Sequence, residues 1–407
     1  MIKRAVAAVA AFLCFFALCG CGRAAASMPA QTSGVKNAAE QSDAEKDLTE
    51  NVDEIVNNLD LSELEAYLAT LTEEQRAMLG VSGIKNRIKA VIAGNLSSDY
   101  GSFAAYIGNV VGVHILNYLP IIAAIVAIGV AYNILSSLRG KFAAESVQNI
   151  VYFACVALLI VLLFTQIFTM IGAVRNIVEN LQKQMAVFFP LLLTLMAAVG
   201  AGSSVAVYRP GVAILASGIA ELVTVVILPA FVVSVVLTAV GNLTEGVKLG
   251  KLSDFFSSVS KWLLGTAFFL FSAFMAVQGI TASVYDGVSV RTAKFAISKY
   301  VPVIGGYLSD GLNLVMSGSV LVKNAVGTTA IVLLFVSVIP VVAQILLLAL
   351  SLRFAGAIIE PLGDSRMSAM VTGLGKNLTL LVSVVLAVTF LYFLFLVLIV
   401  CTGNLAV

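Results

Sequence analysis

Charged residues are scarce in this chain, and their scarcity excludes most soluble proteins. Asp, Glu, Lys and Arg make up 11% of the 407 residues, whereas hydrophobic residues make up 60%. A mean hydropathy of +1.03 is far above that of soluble globular domains. One histidine and five cysteines without a CxxC spacing argue against a zinc site. The GxxxxGK[ST], HExxH and GxSxG motifs are also missing, so we expect no enzyme activity and no cofactor.

Long apolar segments fill the last three hundred residues of the chain. A helix needs roughly 20 mostly apolar residues to cross a hydrocarbon core of about 30 Å. The sequence therefore predicts an all-α polytopic membrane protein with about eight transmembrane helices. The predicted spans lie near residues 110–135, 150–173, 185–207, 211–241, 262–285, 301–322, 326–352 and 377–401.

The N-terminus has the pattern of a secretory signal peptide. Lys3 and Arg4 precede a short apolar stretch at 5–18, and the small residues 24–26 offer a cleavage site. We therefore interpret residues 1–26 as a signal peptide. A second reading of the same segment is a lipobox at 18–21, with Cys21 as the lipidated residue. Both readings place the following residues on the extracytoplasmic side of the membrane.

An acidic segment, residues 27–105, separates the leader from the polytopic domain at 106–407. Two amphipathic helical patterns lie within it, and Ser62 followed by Glu65 predicts a capping box at the start of the first. These two short helices cannot bury a sizeable core alone. They either rest on the membrane domain as a hairpin or dock a partner protein.

The membrane domain shows a pattern that predicts an internal repeat. Pro229 and Pro340 lie in long apolar runs at an offset near 111 residues, and both are candidate helix kinks. The span at 150–173 would then correspond to the span at 262–285. Each unit would contain three spans, and an odd number inverts the second copy. Inverted repeats are a recurring architecture of transporters; the alternative is a chance spacing of two prolines.

Two carboxylates interrupt the predicted spans. Glu221 lies eight residues before Pro229, and Asp310 lies in a glycine-rich run. Because a charge inside a bilayer is expensive, such residues are candidate functional groups in gating or proton transfer. A structural hydrogen bond to a neighbouring helix is the competing interpretation.

Two short charged segments are candidate loops for contact with a partner. The first contains Asp286, Arg291 and Lys294, and the second contains Glu360, Asp364 and Arg366. Pro361 and Gly363 indicate a turn in the second segment. Helix capping by the same charges is the alternative.

Four sequence blocks resemble the stage III sporulation protein AE family. They are 286–295 (DGVSVRTAKF), 300–306 (YVPVIGG), 321–327 (LVKNAVG) and 360–366 (EPLGDSR). The leader, the acidic segment and the polytopic domain also resemble that family, so the similarity covers nearly the whole chain.

The resemblance implies a role in spore formation. Family members come from endospore-forming Firmicutes and are expected in the mother-cell membrane that surrounds the forespore. There they are implied to belong to a channel or secretion-like complex with the other stage III A proteins, including a separate ATPase, and indirectly with stage II protein Q. The resemblance implies no catalytic residues. The alternatives are a stand-alone secondary transporter with inverted repeats and a non-transporting membrane scaffold for the complex.

Overall fold

The structure, a computed structural model, is built from helices. It describes residues 38–78, 83–93, 100–137, 145–243, 249–300, 305–362 and 365–402, and the secondary structure within them is helical. The chain divides between Asp47 and Leu48 into two compact units, and the described part of the first contains only the start of α1. The four N-terminal helices are α1 (Ala38–Asn58), α2 (Ser62–Ala69), α3 (Glu73–Met78) and α4 (Ile84–Ile92). The predicted signal peptide and Cys21 lie outside the described residues.

Within the described ranges, six further helices are long and apolar enough to cross a membrane, so the predicted count of eight is not confirmed. They are α5 (Tyr100–Ser137), α6 (Glu145–Ala198), α7 (Gly202–Val240), α8 (Gly250–Tyr300), α9 (Gly305–Leu362) and α10 (Ser365–Cys401).

The count falls because two pairs of predicted spans are single helices. The span at 150–173 and residues 185–198 of the next span lie in α6, while residues 202–207 begin α7. Residues 305–322 and the span at 326–352 lie together in α9. Charged side chains were read as breaks, yet Arg, Lys and Glu are good helix formers. In α6 the Arg175 Nε donates to Glu179 Oε1 at 3.1 Å, a pairing of residues one turn apart that supports the helix. The segment with Asp286, Arg291 and Lys294 is likewise helical, within α8, and not a loop.

The break between α6 and α7 lies at a glycine and not at a charged residue. Gly200 has φ of +87°, which places it in the left-handed region. Its N–H donates to the Ala197 carbonyl, and the Ala201 N–H donates to the Met196 carbonyl. This is a Schellman motif, which ends α6 and lets α7 begin two residues later.

Helices α9 and α10 pack antiparallel along the whole length of α10. Gly356 lies against Ser368 at one end, and Lys323 donates to the Thr402 carbonyl at the other. Between these ends the rings of Phe335 and Phe393 lie 5.6 Å apart. Since α10 is buried along most of its length, this helix forms the centre of the bundle.

Contacts between the other helices fix their directions. Helix α7 runs antiparallel to α8, with Ser234 beside Ser253 and Ser204 beside Asp286. Helix α5 runs parallel to α9, since Tyr106 contacts Val336 and Gly129 contacts Ile359. Two ends of the bundle follow. The Asp286 end contains residues 199–204, 286, 323 and 402, and the Tyr152 end contains Tyr132, Tyr152, Asn242 and Arg366.

The predicted inverted repeat is not confirmed. It required three spans in each unit, but α6 with α7 and α8 with α9 give two helices in each. Both helices with the matched prolines, α7 and α9, run from the Asp286 end toward the Tyr152 end. The two units therefore point the same way.

Helix α7 contains two π-helical segments, Ile214–Ile219 and Leu222–Ile227. Their origin lies in an exact four-residue spacing of buried positions. One stripe of buried residues has this spacing: Gly211, Leu215, Ile219, Val223, Ile227, Phe231, Val235 and Ala239. In an α-helix of 3.6 residues per turn, four residues overshoot one turn by about 40°. The wider π-turns offset this drift and keep the buried stripe against the bundle.

The N-terminal helices from Leu48 onward pack on the membrane helices. Helix α2 contacts α6, while α3 and α4 contact α9. The buried side chains on these helices include Leu64, Tyr67, Ile84 and Ile88. In the structure these helices lie against the membrane helices, but the predicted two-helix hairpin is not confirmed, and docking of a partner protein stays a prediction. The capping box lies at Thr72 and Gln75, whose backbone N–H groups each bond the other's side chain at 3.1 and 3.2 Å, and not at Ser62 and Glu65.

Candidate functional site

Asp286 belongs to a buried cluster at the Asp286 end, and its side chain is only 3% exposed. Its carboxylate accepts from the backbone N–H groups of Ser203 at 2.9 Å and Ser204 at 3.0 Å, and from the Ser204 hydroxyl. These are the second and third residues of α7, where an N-cap side chain normally bonds. The residue that precedes α7 is Ala201, which has no capping oxygen. Asp286 therefore caps α7 from the neighbouring helix.

Lys323 caps the opposite kind of helix end, the C-terminus of α10. Its side chain is fully buried, and its ammonium donates to the Thr402 carbonyl just beyond the last turn of that helix. The Thr402 hydroxyl donates to the Leu398 carbonyl at 2.7 Å. A hydroxyl has one hydrogen, so the Tyr208 hydroxyl is the donor in its 2.8 Å contact with Thr402 Oγ1.

Together these groups join the start of α7 and the end of α10 to the interiors of α8 and α9. A carboxylate meets the positive end of one helix dipole, and an ammonium meets the negative end of another, so each charge is stabilised by a helix end. Tyr208 on α7 connects two sets of bonds, those of Asp286 between α7 and α8 and those of Lys323 between α9 and α10. The rings of Phe189, Tyr208 and Phe271 surround Phe395 at 4.6 to 6.1 Å and keep water away from these bonds.

A second buried polar network joins α7, α8 and α10 nearer the Tyr152 end. The hydroxyls of Ser234 and Ser253 lie 2.8 Å apart, and Thr238 Oγ1 lies 2.8 Å from Ser253 Oγ. Asn377 Nδ2 donates to Thr238 Oγ1 at 2.8 Å. Such interhelical hydrogen bonds hold membrane helices together where burial of apolar area supplies little driving force.

Glu221 and Asp310 stand apart from these networks and from each other. Both side chains are exposed on the surface of the bundle. Glu221 lies between the two π-helical segments of α7, whereas Asp310 lies near the start of α9 at the Asp286 end. Short π segments within α-helices occur frequently at functional sites.

The remaining predicted contact residues are distributed over both ends. Arg291 is exposed and Lys294 half-buried on α8 at the Asp286 end, and Glu360 is exposed near the end of α9. The guanidinium of Arg366 lies 4.1 Å from the centre of the Tyr152 ring, a cation–π contact. Asp364 lies outside the described residues.

Pro340 is accompanied by a compensating hydrogen bond. A proline lacks the N–H that would bond the carbonyl four residues earlier, which here belongs to Val336. The Tyr106 hydroxyl donates to this carbonyl at 3.2 Å. A cavity of about 250 Å³ opens beside the proline, between α3, α5 and α9. Its lining residues are Thr72, Gln75, Tyr106, Asn109, Val110, Val113, His114 and Pro340.

Pro229 begins the last α-helical stretch of α7, directly after the second π segment. Its ring leaves the Val225 carbonyl without the usual N–H partner. Both predicted kink positions therefore coincide with local departures from regular α-helical bonding.

Sequence reasoning missed several of these residues. Lys323 was interpreted as a residue of a loop. It is the one charged residue of the apolar run between Asp310 and Arg353. Tyr106, Ser204 and Asn377 carry no sequence signal, because the partner of each is more than 80 residues away. In the part of the chain that the structure describes, His, Cys, Asp and Glu side chains do not gather in groups of three that could hold a metal.

Comparison with known proteins identifies a family over most of the chain. The sequence model of the stage III sporulation protein AE family matches residues 82–403. Stage III sporulation protein AE of Bacillus subtilis (strain 168) is 28% identical over 273 residues, which cover 67% of this chain and 68% of the relative. No solved structure matches the chain. Since the family model covers well over half of the sequence, including both buried charges and Glu221, the chain belongs to the stage III sporulation protein AE family.

Proposed function

We propose that this protein is a membrane-embedded component of the channel or secretion-like complex that joins mother cell and forespore during endospore formation. The observation that carries the proposal is the family match over residues 82–403. The protein would lie in the mother-cell membrane around the forespore, with its N-terminal segment extracytoplasmic. Its partners would be the other stage III A proteins, a separate ATPase and, indirectly, stage II protein Q.

Long stretches without charge on five of these helices support a position in the membrane. Apart from Glu221, no Asp, Glu, Lys or Arg stands between Glu145 and Arg175, Arg209 and Glu245, Lys261 and Asp286, or Lys323 and Arg353, and none follows Lys376. Each stretch exceeds the roughly 20 residues that cross a bilayer. We place the hydrocarbon core across these stretches.

Three helices are much longer than this core requires. Helices α6, α8 and α9 contain 54, 51 and 58 residues, which corresponds to roughly 75–90 Å against a core of about 30 Å. Most of the excess would stand outside the membrane at the Asp286 end. With the predicted signal peptide, this side faces the space between the two cells.

This projecting end supplies the contact surface that a complex needs. The exposed Arg291 and Lys299 and the half-buried Lys294 lie on the projecting part of α8, which makes it a basic surface for extracytoplasmic partners. The region of Glu360, Asp364 and Arg366 would face the cytosol, the side from which an ATPase would approach.

Purification of the tagged protein from sporulating cells tests the proposal. We expect the other stage III A proteins to copurify. The double charge reversal Arg291→Glu with Lys294→Glu is expected to lower their recovery about tenfold or more, since like-charge juxtaposition costs several kcal/mol. Lys251→Glu, an exposed reversal at the opposite end of α8, is the matched control. Recovery of the protein without these partners would contradict the proposed function.

A non-transporting scaffold is the second candidate. In the described residues, the buried polar networks at both ends of the bundle join helices to one another. Glu221, the one charged residue between Arg209 and Glu245, takes no part in them. Solute release from liposomes that contain the assembled complex separates the two functions, because a scaffold releases none. Release by this protein alone would favour a stand-alone transporter.

A further inference from the structure

The cavity beside Pro340 has walls that can form hydrogen bonds but carry no carboxylate, ammonium or guanidinium group. Among the described residues that line it there is no Asp, Glu, Lys or Arg. Val110, Val113 and Pro340 supply the apolar part of the wall, and Thr72 and Gln75 of α3 cover one side. Apolar walls with a few convergent polar groups are typical of sites for small organic molecules.

Three polar groups of this lining have no hydrogen-bond partner in the part of the chain that the structure describes. They are the Asn109 amide, the His114 ring nitrogens and the Nε2 group of Gln75. Gln75 Oε1 already accepts from the Thr72 N–H at 3.1 Å, and the His114 ring stacks on that of Tyr118. Each amide nitrogen offers two hydrogens, and a neutral imidazole offers one donor and one acceptor. A ligand with both carbonyl and hydroxyl oxygens would satisfy these groups.

The cavity lies where polar surface meets apolar surface. On one side, Glu73 and Arg76 of α3 are exposed. On the other, an uncharged exposed stripe runs along α5 at spacings of three or four residues, through Val113, Leu116, Pro120, Ala123 and Ala127. Val113 at the edge of the cavity is 48% exposed, so the cavity opens toward this stripe. If α5 crosses the membrane, as in the proposed function, the stripe faces lipid chains.

We propose that this cavity binds the glycerol end of diacylglycerol, the uncharged glycerolipid with one free hydroxyl, while the acyl chains lie along the exposed stripe of α5. The ester carbonyls accept from the amides of Gln75 and Asn109, and the free hydroxyl pairs with the His114 ring. The volume of about 250 Å³ is below the roughly 300–1,000 Å³ of sites that enclose a whole drug-sized ligand. It therefore fits one end of a molecule whose remainder lies outside.

The chemistry of the lining favours diacylglycerol over a phospholipid. Proteins bind phosphate with Arg, Lys and charge-assisted hydrogen bonds, and the described lining contains neither residue. A phosphate in this cavity would be a desolvated charge without a partner, which is costly. The ester and hydroxyl oxygens of diacylglycerol carry no such cost.

Native mass spectrometry of the full-length protein, released from nanodiscs, tests the proposal. The nanodiscs contain phosphatidylethanolamine and phosphatidylglycerol, with dioleoylglycerol as the minor component. We expect one dioleoylglycerol to stay bound. Asn109→Leu and His114→Phe, which retains the ring beside Tyr118, should each lower its retention about fivefold, equivalent to the loss of one hydrogen bond. Asn117→Leu, the same exchange at an exposed position of α5 outside the cavity, should leave retention unchanged.

Two further measurements locate the ligand. Val113→Trp fills the mouth of the cavity and should abolish retention. A diacylglycerol with a diazirine in one acyl chain should crosslink to α5 around Leu116. Excess dioleoylglycerol should prevent this crosslink, and excess phosphatidylglycerol should not. The two smaller substitutions keep the test decisive where Val113→Trp does not accumulate.

Several results would overturn the lipid proposal. They are release of the protein without bound lipid, retention of a phospholipid in place of dioleoylglycerol, and retention that Asn109→Leu and His114→Phe leave unchanged. Labelling of Leu116→Cys by a water-soluble maleimide in intact vesicles would contradict both the path of the acyl chains and the membrane position of α5. Loss of lipid binding alone leaves copurification of the stage III A proteins, and so the proposed function, intact.

Discussion

The two buried charges at the Asp286 end are each stabilised by the end of a helix. Asp286 meets the first N–H groups of α7, and Lys323 meets a carbonyl at the end of α10. A buried ion without a partner costs several kcal/mol, so each charge commits its helix end to one position. Single residues thereby fix the relative heights of helices that are distant in the sequence.

The clearest residue-scale prediction concerns Asp286. Asp286→Ala removes the acceptor of three hydrogen bonds, and we expect a loss of about 2 kcal/mol in the free energy of unfolding. Asp286→Asn retains one capping oxygen and should lose less. Denaturant unfolding in detergent measures both, with Asp310→Ala at an exposed carboxylate as the control. Equal stability of Asp286→Ala and Asp310→Ala would refute the capping role.

Tyr67 makes attachment of the N-terminal helices dependent on pH. Burial raises the pKa of the Tyr67 phenol to about 12, above its ordinary value of 10.0. Below pH 10 the phenol is neutral in both the packed and the detached state, so its burial contributes fully to the free energy of attachment. Above that pH only the detached state ionises, and the contribution falls until the pH passes about 12. Protease cleavage near α2 should rise in this window, and less so in Tyr67→Phe.

At the scale of the element, one glycine decides where two helices separate. A Cβ at Gly200 would lie 2.7 Å from Val290 Cγ2, and its φ of +87° disfavours any other residue. We expect Gly200→Ala to destabilise the fold by about 2 kcal/mol or more. Gly202→Ala, with open space around the added carbon, should have little effect in the same thermal unfolding assay. Similar losses for both variants would show that the turn geometry is unimportant.

The contact between Tyr106 and the proline-bearing turn of α9 can be isolated by a double-mutant cycle. Tyr106→Phe leaves the Val336 carbonyl without a donor and should cost about 1 kcal/mol. Pro340→Ala restores the N–H that bonds this carbonyl within the helix. The cost of Tyr106→Phe should therefore vanish in the Pro340→Ala background. A cost that persists there would assign the role of Tyr106 to packing.

Sequence reasoning succeeded with elements whose signal is local. The apolar lengths predicted membrane helices correctly, and the four family blocks led to the family that the comparisons confirm. The span boundaries between 173 and 185 and at Lys323 are not confirmed, because charges there were read as breaks between spans although they favour helix. Gly200 held the true signal, but a left-handed φ is not visible in a sequence. The π segments were also missed, although the four-residue spacing in α7 was readable.

At the scale of the whole molecule, three helices of 51 to 58 residues explain why counting apolar runs gives more spans than the six long apolar helices of the described residues. The apolar run at 301–322 belongs to a helix whose uncharged part lies further along, between Lys323 and Arg353. Apolar residues that face other helices resemble apolar residues that face lipid. The buried polar networks escaped prediction for a related reason, because they depend on the register of helices separated by tens of residues.

Cysteine labelling along α9 distinguishes a projecting helix from two membrane spans. Leu308, Leu312, Val315, Leu346 and Leu350 are all exposed on the protein surface, so only the bilayer should separate their reactivity. In a background without the native cysteines, we expect a water-soluble maleimide to label cysteines at Leu308, Leu312 and Val315. Leu346→Cys and Leu350→Cys should resist labelling until detergent is added, because they lie in the uncharged stretch of α9 between Lys323 and Arg353. Protection of both groups would restore a separate span at 301–322. Labelling of the first group in inverted vesicles but not in intact cells would place the Asp286 end in the cytosol, opposite to the side that the leader predicts.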